Sequence, residues 1–198
     1  MISVVVEGSS DEGAARALVL AAGAQVSKVI VKSGKTTLDK LIKNYNRAAV
    51  RSPYLVLRDS DTVCPVELHA NLTREIDELM PLFRLRIVHP MTEGWLLADA
   101  DGFSSYFGVS KAAIPRDPES LAHPKETLLA LCSRSRKRDI RQEVVRRDGK
   151  AGPLYVEHLN EFAVQHWSVE AAASRSESLR RALDRVREIA QNGPGDWT

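Results

Sequence analysis

Two groups of acidic residues each follow a short apolar segment, and their side chains could bind a metal ion. Glu7 comes directly after the apolar run at 4–6, and Asp59 and Asp61 follow the run at 54–57. Side chains two residues apart in an extended chain point the same way, so Asp59 and Asp61 are expected to face one cation. Carboxylate oxygens are hard ligands that favour Mg²⁺ or Mn²⁺ over zinc. The sequence therefore predicts a magnesium or manganese site formed by Glu7, Asp59 and Asp61.

The elements predicted around these acids explain why they would meet. Short apolar runs predict strands at 4–6, 26–31, 54–57 and 83–88. Amphipathic segments between them predict helices at 13–22, 37–50 and 65–79. Strands without polar alternation that alternate with helices are typical of an α/β fold with a parallel sheet covered on both faces. Ligands of such folds gather at the carboxyl edge of the sheet, where both acidic groups would lie.

After Pro90 the sequence changes character and predicts helices without further strands. These helices are expected at 92–98, 103–107, 124–132, 155–166 and 178–190, with a Pro-containing loop at 108–124. Gly193-Pro-Gly195 is expected to begin a frayed tail. We therefore predict a βα core at 1–91 and a helical C-terminal part at 92–198 that packs on it.

Basic residues are concentrated in one stretch of the C-terminal half. Residues 134–150 contain eight basic and three acidic residues, although the whole chain carries a net charge of only +2. Such a segment on a nearly neutral protein indicates a phosphate-bearing partner, and the alternative is a solvated face with internal salt bridges. The candidate nucleic-acid-binding residues are Lys125, Arg134, Arg136, Arg138 and Arg141.

The motifs Val-Val-Val-Glu7-Gly-Ser-Ser-Asp11 and Leu-Val-Leu-Arg-Asp59-Ser-Asp61 resemble the TOPRIM superfamily of topoisomerases, primases and nucleases. In those proteins a Glu ends the first strand and an Asp-x-Asp ends a later one. More narrowly, the chain resembles a bacterial family of TOPRIM-like proteins of unknown function. That likeness covers most of the chain and includes the segments Thr92-Glu93-Gly-Trp95-Leu-Leu-Ala-Asp99, His123-Pro-Lys125-Glu126-Thr, Arg134-Ser-Arg136-Lys-Arg138, Gly152-Pro-Leu-Tyr155 and Trp167 to Leu179. Topoisomerases and primases carry large additional domains, so strand passage and priming are not expected.

The resemblance implies a small, mostly parallel four-stranded TOPRIM-like (Rossmannoid) sheet and a nuclease that acts on DNA or RNA. Glu7 would orient or activate the attacking group, while Asp59 and Asp61 would hold Mg²⁺ against the phosphate. Glu93 and Lys125 are further candidate catalytic residues. Lys125 could neutralise the negative charge that develops at the phosphate as the leaving group is displaced. The narrower family also implies a place in an antiphage or mobile-element module.

Two alternatives belong to other functional classes. The first is a non-catalytic sensor or adaptor that binds nucleic acid or a partner ATPase without cutting. The second is a phosphatase of the haloacid-dehalogenase type, whose Asp-x-Asp-x-Thr/Val loop is similar to Asp59-Ser-Asp61-Thr-Val63 and whose first Asp becomes phosphorylated. That family places the loop after its first strand, whereas here it would follow the third, and Glu7 would have no role.

The amino-acid composition indicates what kind of protein this is and where it is expected to be located. Of 198 residues, 43% are hydrophobic and 27% are charged, as in ordinary soluble globular proteins. No apolar run approaches the ~20 residues of a membrane span, and the start of the chain lacks the basic region of a signal peptide, so a cytoplasmic protein without a membrane partner is expected. The two cysteines lack metal-ligand spacing, which argues against a cysteine metal site.

Overall fold

Four parallel strands form the centre of the fold, as the sequence predicts. The computed structural model of the chain describes residues 1–191. The strands are β1 (Ile2–Val6), β2 (Val26–Val31), β3 (Tyr54–Asp59) and β4 (Phe83–Val88), and they lie in the order β2-β1-β3-β4. Both pairs around β3 are parallel, with Val5 beside Val56 and Val56 beside Leu85. The observed architecture is therefore a small α/β fold, and β1 and β3 end side by side.

The connections between the strands are helical. They contain α1 (Glu12–Ala21), α2 (Lys35–Asp39), α3 (Ile42–Ala48) and α4 (Pro65–Thr73). The single helix predicted at 37–50 is wrong, because the chain turns between α2 and α3. The helix predicted at 65–79 begins at Pro65 as expected and ends six residues early.

The second half of the described chain is helical. Its helices are α5 (Thr92–Ala98), α6 (Ala100–Phe107), α7 (Pro124–Cys132), α8 (Arg138–Glu143), α9 (Tyr155–Gln165), α10 (Val169–Ala173) and α11 (Glu177–Gln191). The predictions at 92–98 and 124–132 are confirmed, whereas α8 and α10 are not among the predicted helices. The tail predicted to begin at Gly193 lies outside the described residues. Within residues 1–191, no helix is both long and apolar enough to cross a membrane.

The two faces of the sheet are covered by different parts of the chain. On one face Val5, Val56 and Leu85 pack with residues of α2 and α3. On the other face the side chains of β1 and β3 join α1, α5 and the C-terminal helices in one hydrophobic cluster. The C-terminal half therefore supplies the cover of one sheet face, and it also approaches the ends of β1 and β3.

A close approach between α1 and α9 fixes the turn that follows β1. A Cβ atom at Gly13 would lie 2.6 Å from the Cα atom of Asn160. The Asn160 side chain accepts a hydrogen bond from the Gly13 N–H at 2.7 Å and donates one to the Ser9 carbonyl at 2.9 Å. Only glycine leaves room for these contacts, so α9 holds the chain just beyond Glu7 in place.

Candidate active site

Glu7 and Asp59 meet at the carboxyl edge of the sheet because β1 and β3 are neighbours. The Oε1 atom of Glu7 accepts a hydrogen bond from the backbone N–H of Asp59 at 2.9 Å. This bond joins the end of one strand to the end of the next. It also leaves the carboxyl group of Asp59 beside that of Glu7, at the edge where ligands of parallel sheets bind.

Four carboxyl groups and one ammonium group line a single pocket of about 470 Å³ at this edge. They come from the ends of β1 and β3, the turn before α1, and the first turns of α5 and α7. These residues are Glu7, Asp11, Asp59, Glu93 and Lys125. The structure thus brings together four of the five residues predicted to be catalytic, and it adds Asp11.

Asp11 enters the pocket through a short 3-10 turn at Ser9–Asp11. Its Oδ2 atom accepts a hydrogen bond from the Gly8 N–H at 2.9 Å, which closes the turn, and its side chain is buried. Asp11 belongs to the motif after β1 that resembles the TOPRIM pattern, but it is not among the site residues predicted from the sequence. The signal was its spacing, because one helical turn after a strand end returns a side chain to the same edge.

Glu93 is held in the pocket by a residue from the C-terminal half of the chain. It is only 4% exposed, and the hydroxyl of Tyr155 donates a hydrogen bond to its Oε1 atom at 2.7 Å. Burial and the charge of Glu93 raise the pKa of Tyr155, so its hydroxyl stays a donor. The Nζ atom of Lys125 lies 4.9 Å from the centre of the same ring. Tyr155 therefore positions both Glu93 and Lys125, a role that the sequence did not indicate.

Asp61 does not line this pocket. The extended chain that the sequence analysis assumed ends at Asp59, and Asp61 adopts a φ of 52°. Its Oδ2 atom accepts a hydrogen bond from Lys35 at 2.9 Å, and the Lys35 side chain is 56% exposed. Asp59 and Asp61 therefore contact different neighbours. An exposed ion pair such as that of Asp61 with Lys35 contributes only about 0–1 kcal/mol and exchanges readily.

Arg58 is a buried cation that contacts one acid of the pocket. Its guanidinium lies 3.1 Å from Glu7 and 2.9 Å from Asp39, and its Nη1 atom donates a hydrogen bond to the Asp59 carbonyl. Arg58 therefore offsets the charge of Glu7 and fixes the turn at the end of β3. The sequence analysis missed this role, although an arginine within an apolar strand is a signal, because a buried charge requires partners.

Burial raises the pKa of three carboxyl groups in the pocket. The pKa of Asp59 lies well above its usual range because the group is removed from water and faces the charges of Asp11 and Glu93. Burial is also the main cause of the raised pKa values of Asp11 and Glu7, and for Glu7 the charge of Arg58 opposes it. Each ionised group thus destabilises its neighbours, and a cation among them would relieve this repulsion.

The donor set of the pocket fits a hard divalent cation by its chemistry. Carboxylate oxygens are the ligands that Mg²⁺ and Mn²⁺ prefer, and the Thr92 hydroxyl, 3.4 Å from the Oδ1 atom of Asp59, adds another oxygen. Within residues 1–191, no group of three or more His, Cys, Asp or Glu side chains is already spaced to hold a metal ion. Hydrogen bonds from the chain hold the carboxylates in their present arrangement, so binding requires side-chain adjustment.

A groove connects the acidic pocket to part of the basic stretch. Met91 and Lys125 line both the acidic pocket and a second cavity of about 880 Å³, which Lys150 also lines. Ser133, Val145 and Asp148 are shared in turn by that cavity and a third one, of about 730 Å³, and Asp148 lies 3.4 Å from Arg146. The third cavity is lined by three arginines of the basic stretch: Arg141, Arg146 and Arg147. Positive side chains thus follow the groove away from the carboxylates.

The other predicted nucleic-acid-binding residues occupy a different part of the stretch. Arg134, Arg136 and Arg138 are exposed, and they do not line these three cavities. The stretch is also not one helix, because an irregular segment separates α7 from α8, and a bridge between Val145 and Ala151 follows α8. The structure therefore brings Lys125 and Arg141 to the groove and leaves the three other arginines apart.

Comparisons with protein-family models, with curated proteins and with solved structures found no match to this chain. The functional interpretation therefore rests on the geometry of the pocket and the groove.

Proposed function

We propose that this protein is a TOPRIM-like, divalent-metal-dependent nuclease that hydrolyses phosphodiester bonds of a polynucleotide. One observation carries the proposal: the carboxyl groups of Glu7, Asp11, Asp59 and Glu93 line one pocket together with the ammonium group of Lys125. Buried acids in such number are costly unless a cation compensates them. A lysine at the rim of the same pocket favours an anionic substrate, such as a phosphodiester.

The residues that would hold the ion are Asp59, Asp11 and Glu93, with Asp61 joining them if it leaves Lys35 and Arg58. A bound Mg²⁺ or Mn²⁺ supplies Lewis-acid stabilisation of the charge that develops on the phosphodiester oxygens.

Two residues of the protein would act on the reacting groups. One would activate the attacking water, and the other would neutralise charge on the phosphate. Glu7 lies beside Asp59 and would orient the attacking water and accept its proton as the oxygen bonds to phosphorus. The bond from phosphorus to the leaving oxygen breaks and that oxygen takes a proton from solvent water, so the products are a phosphate monoester and an alcohol. Lys125 would neutralise the charge that develops on the phosphate.

The groove supports a polynucleotide as the substrate. It extends from the acidic pocket past Lys125 and Lys150 to Arg141, Arg146 and Arg147. A chain of phosphates laid along it would meet basic side chains at several points, whereas a small phosphate ester would use only the pocket. An adaptor that binds without cutting shares the groove but has no use for the buried acids.

The direct test is cleavage of labelled DNA and RNA by the purified protein with Mg²⁺, with Mn²⁺ or with EDTA. We expect strand cleavage with either metal ion and none with EDTA. Restoring Mg²⁺ in excess over EDTA should restore cleavage, which excludes damage by the chelator. Binding of both polymers without cleavage under all metal conditions would contradict a nuclease that acts alone and favour the adaptor.

The role of the groove gives a separate prediction. Replacing Arg146 and Arg147 together by Ala should weaken binding and flatten the dependence of log affinity on log salt by about 1.4 to 1.8, because each lost phosphate contact contributes about 0.7 to 0.9. A matched control, Arg180→Ala with Arg187→Ala, removes the same charge from α11, outside the groove. Equal slopes for both double variants would show that only overall charge matters.

A further inference from the structure

A further cavity, separate from the acidic pocket and from the groove, lies at the β4 edge of the sheet. Its volume is about 430 Å³, and it is bordered by α4, β4 and the first turn of α11. Among residues 1–191, β4 is an edge strand because it pairs only with β3. This edge cavity shares no lining residue with the acidic pocket. A ligand here would therefore occupy a site of its own.

The edge cavity contains an arginine, Arg86, that forms no salt bridge within residues 1–191. The Nε atom of Arg86 is buried and has no hydrogen-bond partner there. The neighbouring arginines are paired instead: Arg84 lies 3.4 Å from Glu188, and Arg181 lies 2.7 Å from Glu177. Among the described residues, Arg86 alone of these arginines offers its guanidinium to the cavity without a carboxylate partner.

The surroundings of Arg86 favour an anion. Burial and the positive charges of Arg185, Arg181 and Arg84 lower the pKa of Arg86, so its charged form is destabilised where it lies. The two acids of the cavity are already engaged. Glu119 accepts hydrogen bonds from the hydroxyl of Ser176 and the N–H of Ser178, both at 2.7 Å. Hydrogen bonds from Arg180 and Arg181 lower the pKa of Glu177 to about 2.

The remaining walls favour a ligand that is more than a bare anion. Pro65, Val66 and Ile87 form an apolar side of the cavity, and Val66 is 73% exposed. His69 lies near Arg86, and burial together with the charge of Arg86 lowers the pKa of His69, so its ring is neutral at pH 7. A cavity of this size is within the range that holds a small ligand with an apolar part.

We propose that the edge cavity binds a phosphate monoester that carries an apolar ring, of the chemical class of a nucleoside monophosphate. The phosphate pairs with the guanidinium of Arg86, which gains the anionic partner that it lacks among residues 1–191. The ring lies against Pro65, Val66 and Ile87. This site is independent of the proposed nuclease reaction, because none of the residues assigned to that reaction lines it.

Calorimetric titration of the full chain with adenosine 5′-monophosphate tests this site, in EDTA and at constant ionic strength. We expect the affinity to fall at least tenfold in Arg86→Gln and to stay unchanged in Arg187→Gln, which removes the same charge from a position of α11 that pairs with Asp184 and not with an acid of the cavity. Adenosine and inorganic phosphate, each lacking half of the ligand, should bind at least tenfold more weakly than the nucleotide.

A second variant covers the case in which Arg86→Gln does not fold. Val66→Asp places a negative charge at the exposed rim, where the fold does not depend on the side chain, and should also lower the affinity at least tenfold. Asp59→Asn, in the acidic pocket, should leave the affinity unchanged. No binding by the native chain at millimolar nucleotide, or equal binding by native chain and Val66→Asp, would overturn the proposal.

Discussion

Asp59→Asn is expected to unfold at a higher temperature than the native chain in EDTA and to cleave polynucleotide at least about 100-fold more slowly with Mg²⁺. Burial beside Asp11 and Glu93 raises the pKa of Asp59, so its ionised form destabilises the folded chain. Asn keeps the shape and removes the charge. A gain of roughly 1 kcal/mol corresponds to about 2–4 °C in a chain of this size.

Thermal unfolding and initial cleavage rates measure the two effects on the same preparation. Asp77→Asn is the matched control, because it makes the same chemical change at an exposed position after α4. It should alter neither the melting temperature nor the rate. A lower melting temperature of Asp59→Asn in EDTA would contradict the electrostatic strain described for the pocket, and an unchanged rate would exclude Asp59 from the reaction.

Glu7→Gln is expected to slow cleavage by at least about 100-fold while the chain stays folded. Gln retains an oxygen that accepts the hydrogen bond from the Asp59 N–H, and Arg58 retains its ion pair with Asp39. What is lost is the charge that would accept a proton from the attacking water. The rate should be measured at saturating Mg²⁺, so that weaker metal binding does not account for the loss.

The same variant separates a nuclease from the phosphatase alternative. A phosphatase that uses Asp59 as its nucleophile would form a phosphorylated enzyme and would depend little on Glu7. Glu67→Gln, an exposed change of the same kind on α4, controls for general effects. Cleavage by Glu7→Gln at the native rate would contradict the mechanism proposed for the pocket, whether or not Glu67→Gln also cleaves at that rate.

Sequence patterns predicted the sheet well, although only its two central strands are largely buried. β1 and β3 are mostly apolar, and such runs have few other places in a parallel α/β fold. The segments 26–31 and 83–88 are also strands with the predicted bounds, but β2 is partly exposed and β4 contains two arginines that are only half-buried. Helical bounds were less predictable. Leu38 of α2 and Ile42 of α3 pack in the same hydrophobic cluster. Their spacing therefore resembles that of one continuous helix, although the chain turns between them.

The acidic pocket was predictable where it depends on strand ends and unpredictable where it depends on tertiary contacts. Glu7 and Asp59 meet because their strands are neighbours. Asp61 was expected beside Asp59, but this expectation required an extended chain, and the positive φ of Asp61 redirects its side chain. Tyr155 contacts Glu93 although the two residues are 62 positions apart, and no local sequence pattern predicts such a contact.

The central claim is that a divalent cation binds among the carboxylates at the ends of β1 and β3. The most direct measurement is the anomalous scattering of manganese in crystals grown with Mn²⁺. We expect an anomalous-scattering peak at coordination distance from the carboxylate of Asp59 in the native protein, and no peak in the same pocket of Asp59→Asn. A native crystal in which manganese is bound only elsewhere, or in which the acidic pocket stays without it at saturating Mn²⁺, would contradict the account.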